Sequence, residues 1–120
     1  VGDPAAEQVP GGDGALSEMT SNRLLRRVRR AGWSVDDDAL RRVENPYLQG
    51  VTVVVSHRSH GEGTVSLFRA QNPAVARTMA DNIRTNEPTA AVRLEERVVL
   101  AAVCRHKPAA ARELLDAILR

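Results

Sequence analysis

Residues 97–104, RVVLAAVC, hold six consecutive apolar positions, Val98, Val99, Leu100, Ala101, Ala102 and Val103. Charge bounds the run on both sides, with Glu95, Glu96 and Arg97 before it and Arg105, His106 and Lys107 after it, and Pro108 follows. The run is too short for a helix and rich in Val, so it reads as a strand buried on both faces. Such a strand needs other strands to pair with and amphipathic helices to pack on it.

Two Val-rich runs supply pairing strands. Residues 51–57 (VTVVVSH) and 64–69 (TVSLFR) are joined by RSHGEG, in which Gly61 and Gly63 supply the permissive backbone of a hairpin. Alternation puts Val51, Val53 and Val55 on one face, with Val65 and Leu67 matching them and Phe68 pointing the other way. A shorter strand over 90–94 turns at Glu95-Glu96 into the apolar run, although that turn lacks the Gly or Asn such a reversal favours.

Three helices are expected. The first covers 17–31, with Ser17 or Thr20 as cap and Gly32 as stop. Trp33, directly after it, is expected to close the core as a packing residue. The second helix opens at Asn72-Pro73, a cap followed by a first-turn proline, and ends at Asn86-Glu87-Pro88. Val75, Ala76, Met79, Ala80 and Ile83 line its buried side. Pro108 starts the third, whose apolar stripe is Ala111, Leu114, Leu115, Ile118 and Leu119. Asp36, Asp37 and Asp38 read as caps on a short segment over 39–43, because they lack the alternating oxygens of a calcium loop and its closing Glu. Asn45-Pro46 marks a turn and Gly50 the entry to the next strand.

The economical assembly is a single small α+β domain, a mainly antiparallel sheet of four to five strands with about three helices packed on one face, ferredoxin-like or a related two-layer sandwich. The domain is expected over 17–120. Residues 1–16 (VGDPAAEQVPGGDGAL) are rich in Gly and Pro and poor in apolar side chains, so they read as a flexible N-terminal tether. A tether after a missing start suggests the tethered, extracytoplasmic domain of a lipoprotein, favoured over a cytoplasmic setting. Of 17 basic residues all but Lys107 are Arg, and that bias, with abundant Ala, Val and Asp, suggests a GC-rich bacterial genome. No apolar run approaches the roughly 20 residues a membrane helix needs.

Local charge is more informative than the net charge of +2. On the first helix, Arg23, Arg26, Arg27, Arg29 and Arg30 fall outside the stripe of Leu24, Val28 and Ala31. Such a face suits an anionic surface, an acidic protein partner or nucleic acid. The 2% aromatic content argues against a ring-stacking platform for RNA or carbohydrate.

The soft metal ligands are His57, His60, Cys104 and His106. If both strand ends reach one edge of the sheet, these four suit a tetrahedral zinc site of one sulfur and three nitrogens. The single cysteine excludes an intramolecular disulfide and, buried at a strand end, equally reads as a small hydrophobe. Catalysis finds no support: Ser56 and Ser59 neighbour histidines whose side chains point to the opposite face. There is no nucleophile elbow, phosphate-cradling loop or dinucleotide fingerprint. The expectation is therefore a non-catalytic binding or interaction domain with no cofactor, using the Arg face and the 57–62 hairpin edge, with a sheet edge able to pair with a second copy as a homodimer. A nucleic-acid-binding regulator working through the Arg-rich helix is the alternative, and a zinc-binding domain the second alternative.

Overall fold

A computed structural model describes residues 16–120 of the chain. In chain order the elements are α1 (Ser21–Arg30), β1 (Ser34–Asn45), β2 (Leu48–His57), β3 (Gly61–Ala70), α2 (Pro73–Asn86), β4 (Ala91–Glu95), β5 (Val98–Val103) and α3 (Pro108–Leu119). The strands form one five-stranded sheet in the order β1-β2-β3-β5-β4, and every neighbouring pair is antiparallel. The expected α+β sandwich is the observed class. The proposed tether falls on residues 1–15, outside the described residues; Leu16, given to it as its last residue, is fully buried in the core.

The helices do not share one face. Period-two alternation splits β3 and β5 between two apolar clusters. Val65, Leu67, Val98, Leu100 and Ala102 lie on the side of α1 and α3, with Val51, Val53 and Val55 of β2. Phe68, Val99 and Ala101 lie on the side of α2, against Ala76 and Ala80. A strand apolar at every position must be covered twice, and Val98, Val99, Leu100, Ala101 and Ala102 are all buried. A one-faced arrangement would have left Val99 and Ala101 in water. β3 occupies the middle of the sheet, and β4 closes the far edge beyond β5.

Capping chemistry sets most of the helix ends. Thr20 accepts the Arg23 N–H at 3.2 Å, so α1 starts after Thr20 and residues 16–18 form a turn instead of its first turn. Gly32, at φ +96°, supplies the left-handed residue that ends it. Asn72 accepts the Val75 N–H at 2.9 Å ahead of Pro73. The β4–β5 turn, without Gly or Asn, places Glu96 at φ +54°.

The acidic triplet does not cap a separate segment. It lies within β1, which runs as far as Asn45 because the Asn45 carboxamide accepts the Tyr47 and Leu48 N–H groups and closes the turn into β2. Between Asp36 and Arg41, β1 advances five residues while β2 advances two, so 37–40 bulge from the ladder.

Candidate binding recess

The two faces are finished differently. Beneath α1 and α3 the sheet meets Leu24, Val28, Leu114, Leu115 and Ile118, which fill the space. α2 packs over β3, β5 and β4 and meets them through the small Ala76 and Ala80. Further along that helix, Met79 and Ile83 are only half-buried, and the strands opposite offer Thr64, Ser66, Ala101 and Val103. Short side chains on the floor cannot reach the helix wall, and a recess of about 580 Å³ remains between them.

Phe68, Met79, Ile83, Ala101 and Val103 give this recess an apolar body. Thr64 and Ser66 on the floor and Asn82 and Asn86 on the wall add donors and acceptors. The Ser66 hydroxyl is 2.9 Å from that of Thr52, which orients it on the floor. At the mouth stand Glu62, His106 and an ion pair in which Arg105 meets Glu87 at 2.6 Å. The volume falls within the roughly 300–1,000 Å³ of small-molecule sites, and an apolar cleft with a few convergent polar groups is their usual make-up.

The four proposed zinc ligands reach the same end of the sheet, as the strand directions required, but do not come together. His57 and His60 lie on the α3 side, stacked on each other with ring centroids 4.3 Å apart and packed against Trp33 at 5.1 and 5.8 Å. Cys104 is fully buried in the core on that side, and a Cβ on Gly63 would stand 2.9 Å from its sulfur. Burial pushes its thiol pKa up. His106 lies beside Gly61 at the mouth of the recess on the other face. Among the described residues no three His, Cys, Asp or Glu side chains are grouped to hold a metal ion.

One ring of the imidazole stack has its tautomer set by a backbone contact. His57 Nδ1 accepts the Ser59 N–H at 3.0 Å, so the neutral ring carries its proton on Nε2. His57 has its pKa lowered, first by desolvation and then by the positive charge of His60, Arg58 and Lys107. His60 Nδ1 is buried without a hydrogen-bond partner.

The five arginines divide. Arg27 turns inward, where Nη1 donates to the Ile118 carbonyl at 2.7 Å and to that of Arg120 at 3.2 Å. Arg29 pairs with Asp37 at 3.2 Å. Arg23, Arg26 and Arg30 are exposed with no ion pair among the described residues. Spaced at i, i+3 and i+7, they form one stripe along the helix. Of the five arginines, three are thus both exposed and without an ion pair among the described residues.

Sequence reasoning missed the recess. Its signal was present: Thr64, Ser66 and Phe68 alternate onto one face of β3, and a helix follows whose stripe mixes Met79 and Ile83 with alanines. Comparison with protein-family models, curated proteins and solved structures finds no match.

Proposed function

We propose that this chain is a non-catalytic binding domain whose site is the recess between α2 and the β3–β5 floor. The carrying observation is an open volume of about 580 Å³ with a Phe, Met, Ile, Ala and Val interior and amide and hydroxyl side chains in its lining. An uncharged molecule with a compact apolar body and one or two hydrogen-bonding groups is the chemistry it fits. Two features support binding over catalysis. Among the described residues no Ser or Thr hydroxyl hydrogen-bonds an imidazole, and the Glu87 carboxylate at the mouth is tied up by Arg105.

The test uses N-phenyl-1-naphthylamine, a neutral fluorescent probe of suitable size. The folded protein should enhance its emission saturably, and Ser66→Phe, which fills the floor, should remove the effect while leaving the circular dichroism unchanged. Enhancement that persists in a folded Ser66→Phe variant would reject the recess as the site.

A second reading rests on the exposed stripe Arg23, Arg26 and Arg30, which has no ion pair among the described residues. Three cations along one exposed helix face suit the phosphate backbone of a nucleic acid or another anionic surface. This reading uses the opposite face of the sheet and is independent of the recess.

A further inference from the structure

β1 is an edge of the open sheet, and its two halves present that edge differently. In the first half the ladder is broken by the bulge over 37–40, and Asp38 N–H folds back onto the Asp36 carboxylate at 3.1 Å. Bulges and charges of this kind keep other strands off an edge. In the second half, Arg41 to Asn45 pair regularly with Thr52 to Leu48, and all five residues are exposed. Val43 is one of only two large apolar side chains exposed among the described residues, at 39%. It is flanked by Arg42 and Glu44, neither of which has an ion pair among the described residues.

We propose that this half-edge pairs antiparallel with the same half-edge of a second copy, joining two sheets into one of ten strands. The order Arg-Val-Glu is self-complementary under a twofold axis normal to the sheet. With that axis through Val43, Val43 meets the partner's Val43, and Arg42 lies opposite the partner's Glu44 on either side of it. Directly opposed residues in an antiparallel pair share a face, so only registers centred on a residue are allowed. Centring on Arg42 sets it against the partner's Arg42, and centring on Glu44 sets it against the partner's Glu44. Like charges directly opposite each other are unfavourable, so charge selects the register centred on Val43. Five residues a side bury far less than the roughly 1,600 Å² of a standard stable interface, so the dimer is weak and concentration-dependent.

Sedimentation equilibrium over a concentration series tests this with three variants. The native chain should dimerise reversibly. Arg42→Glu and Glu44→Arg should each weaken association by roughly tenfold or more. The double exchange Arg42→Glu/Glu44→Arg recreates opposite charges across the axis and should restore dimerisation. Independently, Val43→Cys should oxidise to a disulfide-linked dimer, because opposed Cα atoms in an antiparallel pair stand within disulfide reach. The buried Cys104 offers no competing exposed thiol. A chain that stays monomeric at its highest soluble concentration, or a dimer indifferent to both single charge changes, would overturn the proposal.

Discussion

Arg27 of α1 is joined to Ile118 of α3 by a hydrogen bond of 2.7 Å from guanidinium to backbone carbonyl. The same nitrogen reaches the Arg120 carbonyl, so a cation from the first helix satisfies acceptors at the C-terminal end of the last. The two helices thereby cover one face of the sheet as a unit. Arg27→Ala should lower unfolding free energy by roughly 1–2 kcal/mol in urea denaturation. Arg23→Ala, on the exposed side of the same helix, should change it by no more than about 0.5 kcal/mol. Equal effects would show that the bond does not contribute.

The backbone of β2 runs close to β3 at Gly50. A Cβ there would overlap the Phe68 ring and stand 2.8 Å from the Leu67 carbonyl oxygen. Gly50→Ala should therefore cost roughly 1–3 kcal/mol. Because Phe68 belongs to the recess wall, the same variant should also weaken binding of the naphthylamine probe. Loss of stability with unaltered probe affinity would mean that the ring does not help to shape the site.

His57 links stability to pH. Its folded pKa is lowered from the ordinary value of 6.5, chiefly by desolvation and then by His60, Arg58 and Lys107; Glu113 lines the same small cleft from α3. Between the folded value and 6.5 the unfolded chain binds more protons, so stability rises with pH across that window. The contribution is complete above 6.5, is lost as pH falls through the window, and then levels off. Urea midpoints measured at about pH 5.5 and about pH 8 should differ, and the difference should shrink in His57→Phe, which keeps a ring against Trp33. An equal difference in that variant would assign the pH dependence to other groups.

For the exposed arginine stripe of α1, the signature is salt dependence. If Arg23, Arg26 and Arg30 contact phosphates, log affinity for a labelled DNA duplex should fall with log salt at about −0.9 per contact. Replacing any two by Ala should flatten that slope and weaken binding alike for different sequences. Fluorescence anisotropy showing no binding at low salt removes the nucleic-acid reading.

Much of the fold was legible because it rests on local chemistry. Asn72-Pro73, Gly32, Asn45-Pro46 and the alternation of Val51, Val53 and Val55 each fix a local geometry without reference to distant residues. The strand over 98–103 announced burial on both faces, yet which helix covers which face depends on how α2 crosses the sheet. The bulge over 37–40 was equally hidden, since its three extra residues are defined only against β2. At the sites, ligand types could be read but not their grouping: His57 stacks on His60 and Trp33, whereas His106 lines the mouth of the recess. The five arginines looked equivalent on a helical wheel until Ile118 and Asp37 claimed two of them. The recess is an absence of side-chain volume between two elements far apart in sequence. Periodicity within either element alone does not report it.

The most direct test is an NMR titration of the isotopically labelled protein with N-phenyl-1-naphthylamine, followed through backbone amide shifts. Saturable shifts gathered at Thr64, Ser66, Asn82, Asn86, Ala101 and Val103 are the predicted result. Shifts that are absent, fail to saturate or gather on α1 would contradict the assignment of the recess as the binding site.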